Sequence, residues 1–204
     1  MDGKTLLVRA VDVVAFVFAA FGGVLTNMAP PAEGRSQVIV GIASFLCLAA
    51  LLFITAMATD LPPRTYKRRW LTGAAICLVV ALVATPVYLS SYAGRTFAYP
   101  TAASPEVYVR GTELTPAARA FLEDNPGLSP QQLVANFGGL PNRTQVWTEA
   151  SLGTARLQLT VLYLALVLGL ASGIFCIIEG ILVKGDGSAE VSPEGSDPGR
   201  TSGG

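Results

Sequence analysis

The sequence predicts a membrane all-α fold: a bundle of four transmembrane helices with a small α+β extracytoplasmic cap between the third and the fourth. Three observations carry this. Four apolar windows, roughly 7–28, 38–59, 70–92 and 157–183, are each long enough to cross a hydrocarbon core, which takes about 20 helical residues. Only 14% of the 204 residues are charged and 51% are hydrophobic, with a mean hydropathy of +0.52; soluble domains carry about 25% charge. Between the windows, only 95–153 offers enough polar and turn-forming residues to fold outside lipid. The chain divides accordingly into helices 1 to 3 (1–94), the cap (95–153), helix 4 (154–184) and a tail (185–204).

The first window begins its uncharged run only after Asp12, and a basic start before an apolar core also describes a signal peptide. "GGVLTNMAPP" has no clean small-x-small cleavage site, so a retained helix is expected. The other windows contain longer uncharged runs. As soluble helices they would have to be apolar on every face, which a small bundle does not support.

Orientation follows from the basic residues near the helix ends. Lys4 and Arg9 precede helix 1, "DLPPRTYKRRW" between helices 2 and 3 holds Arg64, Lys67, Arg68 and Arg69, and Lys184 follows helix 4. "APPAEGRSQ" between helices 1 and 2 has Arg35 alone. Both termini are therefore expected in the cytoplasm and the cap outside. Tyr66 and Trp70 mark one interface, and Tyr88, Tyr92, Phe97 and Tyr99 the other. Pro86 is expected to kink helix 3 near its outer end.

Within the cap, "EVYVRGTEL" (106–114) alternates as a strand does. "TPAARAFLED" has Thr115 placed to cap a helix, with Pro116 in its first turn. "SPQQLVANFGG" announces a second helix, with Ser129 and Gln132 in capping-box positions and Gly138–Gly139 at its end. Thr144–Trp147 is read as a strand pairing with Val107–Val109, after which Thr148 caps helix 4. Such a cap is too lean to be stable alone. The tail "GDGSAEVSPEGSDPGRTSGG" has almost nothing to bury and is expected to be disordered.

The composition narrows the chemistry. There is no histidine, which removes Ser-His-Asp and Cys-His catalysis, His-bound metal and an imidazole switch. Cys47, Cys77 and Cys176 all fall in apolar spans, where a small buried thiol is a packing residue, and the cap has no disulfide to draw on. "FGG" at 21–23 and "FGGLP" at 137–141 lack the spacing and the lysine of a phosphate loop. Lys+Arg and Asp+Glu both number 14, so no basic excess points to direct nucleic-acid binding. Asn142-Arg143-Thr144 matches a glycosylation acceptor, but 11 Arg against 3 Lys suggests a GC-rich bacterial source, where that reading lapses. No enzyme activity and no cofactor are expected.

Helix 4 carries the strongest packing signal. Ala165, Gly169 and Gly173 recur every four residues, with Ser172 and Cys176 beside them. Such stripes let helices approach closely in lipid, either within one chain or between subunits. Gly22–Gly23 and Gly73–Ala75 are candidate facing surfaces. No repeat and no midplane charge suggests a transporter pathway. Asp12, near a helix N-terminus and close to Arg9, sits where a negative charge is favoured. Glu179 approaches a helix C-terminus and needs a cationic partner, with Arg9, Arg68 and Arg69 at a suitable depth.

Four helices with a large loop between the third and the fourth is the layout of tetraspanins, but their Cys-Cys-Gly element is missing; claudins place their large loop between helices 1 and 2. The segment "GTELTPAARAFLEDNPGLSPQQLVANFGG", leading to "VWTEASLGTAR" and helix 4, resembles small membrane components of bacterial anti-phage and conflict systems. The resemblance implies a homo-oligomer in the inner membrane that senses an envelope event or disturbs the bilayer on an internal signal. Arg110, Glu113, Arg119 and Trp147 would carry outer sensing. Arg64, Lys67, Arg68 and Arg69 are placed to dock an acidic cytoplasmic partner. Two other readings stand beside it: a channel or transporter subunit lined by Thr26, Asn27, Thr85, Ser90 and Ser91, and a scaffold whose cap binds another envelope protein.

Overall fold

The computed structural model describes residues 3–31, 36–58, 63–101 and 105–182; the tail 185–204, Lys184 and the side chains of Lys4, Arg9 and Arg64 lie outside the described residues. Four helices are long and apolar enough to cross a membrane: α1 (Gly3–Met28), α2 (Ser36–Ala58), α3 (Pro63–Arg95) and α6 (Glu149–Leu182). Between α3 and α6 come β1 (Thr96–Pro100), β2 (Pro105–Val109), α4 (Pro116–Asp124), α5 (Pro130–Asn136) and a 3₁₀ turn (Leu140–Gln145).

Helix α6 is the axis of the bundle. It packs along α3 and also touches α1 and α2, while α1 packs on α2. The burial pattern follows, with half of the apolar window of α6 buried against about a fifth in each of the other three. Its inward residues Ala155, Leu159, Tyr163, Val167, Ala171 and Phe175 meet Val13 and Val17 of α1, Cys47 and Leu51 of α2, and Trp70 and Tyr88 of α3 in one core. The outward faces stay apolar: Phe16, Phe45, Phe53 and Leu82 are 58–73% exposed. Rows of exposed large apolar side chains on several helices belong in lipid or against another protein, since water penalises them.

The small-residue stripe on α6 explains the tight α3–α6 contact. A Cβ added at Gly169 would lie 3.0 Å from the Cys77 carbonyl oxygen and 3.2 Å from the Ala81 nitrogen, and one at Gly173 would lie 2.8 Å from Leu78 Cδ2. Ser172 is buried beside them, Ala165 is half-buried, and Gly180 faces Leu71 and Trp70 of α3. Gly73 approaches Cys176, whereas nothing lies within 4 Å of a Cβ at Gly22 or Gly23. The stripe is thus filled by α3 of the same chain.

Two tyrosines tie down the end of α1. The last carbonyls of a helix have no partner within it. The Tyr163 hydroxyl donates to the Leu25 carbonyl (3.1 Å), and the Tyr88 hydroxyl donates to the Met28 carbonyl. The Tyr88 and Tyr163 rings lie 6.0 Å apart.

The module between α3 and α6 differs from the sequence expectation in its sheet. Strand β2 pairs antiparallel with β1, in a register that sets Phe97 opposite Tyr108 and Thr96 opposite Val109. Thr144–Trp147 does not pair with Val107–Val109; residues 140–145 form the 3₁₀ turn, and only an isolated bridge joins Leu114 to Trp147. Pro141 fixes φ and removes a ladder donor in that stretch, and β1 reaches β2 through a short loop whose closure costs less entropy. The caps are local and strong. Thr115 Oγ1 accepts from Ala118 N (3.2 Å), and Ser129 and Gln132 form a reciprocal capping box. After α5 the chain turns through Gly138 and Gly139 at φ +88° and +87°, a region that disfavours side chains with a Cβ.

Candidate functional site

A cleft of about 430 Å³ opens where the module meets the ends of α3 and α6. Its polar side is Gly94, Arg110, Gly111 and Thr112; its apolar side is Leu114, Leu122, Leu128, Pro130, Leu133 and Trp147. The module is built on its own small core of Phe97, Ala118, Leu133, Val134, Val146, Trp147 and Leu152. Leu152 belongs to α6, one turn before Ala155, which sits in the core of the bundle. The two cores therefore share a helix.

Arg110 is held at two points. Its backbone N–H donates to the Arg95 carbonyl (2.9 Å), and its Nε donates to the Gly94 carbonyl (2.6 Å). Both acceptors lie in the last turn of α3, where orphan carbonyls and the negative end of the helix dipole favour a cation. With Nε engaged, the guanidinium of Arg110, which lines the cleft, retains its terminal N–H donors for another acceptor.

Trp147 lines the cleft beside Gly111. It is 4% exposed, its ring lies 5.5 Å from Phe97, and its side chain presses on Gly111. A Cβ at Gly111 would lie 2.7 Å from Trp147 Cβ and would collide with Ser151 Oγ, so only glycine admits the crossing. Ser151 Oγ also donates to the Glu113 carbonyl (3.3 Å), and Thr148 N donates to the same carbonyl (3.0 Å). The segment 110–113 is in this way clamped between the C-terminus of α3 and the N-terminus of α6.

Of the residues singled out for outer sensing, the structure brings Arg110 and Trp147 to one cleft. Glu113 is exposed beside it, its carboxylate accepting from Thr148 Oγ1 (3.4 Å), and Arg119 is exposed on α4 away from the lining. The leucines of the lining share no sequence period: Leu114 precedes α4, Leu122 lies near its end, Leu128 is in the loop before α5 and Leu133 is on α5. The Gly-Thr-Glu run after a strand was the signal available for the clamp.

At the far end of the bundle, Lys67, Arg68 and Arg69 are exposed on the first turns of α3, and Asp12 is exposed on α1. Glu179 is fully buried, one position before Gly180, which faces Trp70; Trp70 and Phe175 pack edge to face at 5.6 Å. Of the cations considered for Glu179, Arg68 and Arg69 are exposed, and the side chain of Arg9 lies outside the described residues.

The polar residues considered for a pore do not meet inside the chain. Thr26, Asn27 and Ser90 are exposed, Thr85 Oγ1 donates to the Ala81 carbonyl of its own helix (2.7 Å), and Ser90 Oγ donates to Val87 (3.1 Å). Among the described residues, no group of three or more His, Cys, Asp or Glu is close enough to hold a metal ion. No protein-family model, curated protein or solved structure matches this chain.

Proposed function

We propose that this chain is a non-enzymatic sensor or effector of a bacterial inner membrane, crossing it four times, with both termini in the cytoplasm and the α+β module outside. It works as a homo-oligomer, with anti-phage defence as the setting suggested by the resemblance of its second half. The observation that carries the reading is the clamp at 110–113. Arg110 holds the end of α3, Gly111 admits Trp147, and Glu113 accepts from the first turn of α6. A change in the module must therefore move two long helices together, because neither is joined to it by a flexible linker.

Replacing Gly111 by Val breaks the clamp by driving a side chain into Trp147 and into Ser151 in the first turn of α6. Vesicle leakage and phage plating efficiency are then compared for the native chain and the variant. The sensor reading expects the variant to lose or lock the response; identical behaviour in both assays contradicts it. Single-channel recording separates a membrane-disturbing effector, which passes current, from a scaffold, which does not.

A further inference from the structure

We propose that the cleft lined by Arg110 and by Leu122, Leu128 and Leu133 binds an amphipathic anion, a carboxylate or phosphate on an alkyl body. The inference rests on the outer placement of the module and names the chemistry that its cleft recognises.

The anionic end is assigned by Arg110. Its guanidinium is oriented before any ligand arrives, through the 2.6 Å bond from Nε to the Gly94 carbonyl and the 2.9 Å bond from its backbone N–H to Arg95. A donor fork fixed in advance loses little entropy on binding and matches the planar geometry of a carboxylate or the face of a phosphate. Among the described residues Arg110 is the one charged side chain in the lining; the carboxylate of Glu113 lies outside it, where it accepts from Thr148 Oγ1.

The apolar end is assigned by Leu122, Leu128, Leu133 and Trp147, which supply the apolar part of the lining. Small-molecule sites are concave, mostly apolar, and carry few polar groups, in volumes of roughly 300–1,000 Å³. At about 430 Å³ the cleft suits a medium-length alkyl chain or one segment of a longer one. Gly94 stands in the last turn of the apolar stretch of α3, so the mouth lies level with lipid headgroups in the proposed orientation. A free fatty-acid anion and an anionic phospholipid present the same chemistry there.

The chain has two tryptophans, Trp70 and Trp147. In a Trp70→Phe background, Trp147 reports on the cleft alone. The full chain is placed in phosphatidylcholine nanodiscs and titrated with dodecanoate, with dodecyltrimethylammonium as the cationic control, and its emission is also compared in phosphatidylglycerol nanodiscs. A saturable change with dodecanoate identifies a free anion as ligand; a change in phosphatidylglycerol without additive identifies the lipid. Either supports the proposal. Arg110→Gln is expected to weaken the response about tenfold, the loss of one charge-assisted contact, and Arg119→Gln to leave it unchanged.

Because Arg110→Gln also removes the cap on α3, Leu128→Glu serves as the second variant. It sets a carboxylate in the apolar wall, leaves α3 untouched, and is expected to abolish the response while circular dichroism stays native. The proposal is overturned by no response in either lipid, by an equal response to dodecyltrimethylammonium, or by unchanged affinity in a folded Leu128→Glu chain. Nanodiscs expose both faces, so binding is read independently of sidedness; labelling of a cysteine at position 112 from within the cell would refute the outer placement without touching this result.

Discussion

The hydroxyl of Tyr163, midway along α6, donates to the carbonyl of Leu25 at the end of α1, a buried bond of 3.1 Å between residues 138 positions apart. Tyr88 of α3 makes the matching bond to Met28. Three helices are thus pinned at one level by the C-terminus of α1, whose own carbonyls would otherwise be buried without partners. Tyr163→Phe is expected to cost about 0.5–1.5 kcal/mol, the usual net worth of such a bond. Thermal unfolding in detergent measures it. Tyr88→Phe is expected to behave alike, and the double variant to depart from additivity because the rings touch.

The glycines of α6 and α1 are expected to respond oppositely. Gly169→Val or Gly173→Val drives a side chain into Cys77, Leu78 or Ala81 and is expected to destabilise by about 1–3 kcal/mol. Gly22→Ala and Gly23→Ala meet open space and are expected to be neutral or slightly stabilising, since alanine favours helix. Melting temperatures in one detergent compare the four. A larger loss at Gly22 or Gly23 would mean that another subunit covers them.

Glu179 is 0% exposed, and a carboxylate at that depth calls for a cationic partner, expected from the sequence to be Arg9, Arg68 or Arg69. A double-mutant cycle identifies the partner. Coupling above about 1 kcal/mol is expected between Glu179→Gln and Arg9→Gln, and under about 0.5 kcal/mol with Arg68→Gln or Arg69→Gln, whose side chains are exposed. Strong coupling to Arg68 or Arg69 contradicts this assignment.

The helix caps of the module offer a test at its surface. Thr115→Ala removes the acceptor for Ala118 N and the bond from its hydroxyl to the Gln145 carbonyl, and is expected to cost about 1–2 kcal/mol. Ser129→Ala removes half of a capping box and is expected to cost about 1 kcal/mol. Hydrogen exchange localises both losses to α4 and α5.

The long helices were legible because uncharged runs such as 157–178 leave a chain few alternatives, and Thr115 and Ser129 were legible because capping is local. β1 was not. "TFAYP" follows α3 without a break, and its aromatic residues read equally as interface anchors and as strand. With β1 unseen, Val107–Val109 was assigned the wrong partner. The cleft was half legible. Arg110 and Trp147 stood out as residue types, but the leucines facing them gather only once α4 and α5 have folded. Glu179 stood out by its charge, while the depth of its burial depended on how α3 and α6 pack.

The central claim is that a membrane separates the α+β module from the basic start of α3. A chain with Cys47, Cys77 and Cys176 replaced by alanine, carrying either Thr112→Cys or Lys67→Cys, both at exposed positions, tests it with a membrane-impermeant maleimide in intact cells. Labelling at position 112 in intact cells, and at 67 only after permeabilisation, is the predicted result; both positions reacting alike, or the reverse order, would contradict it.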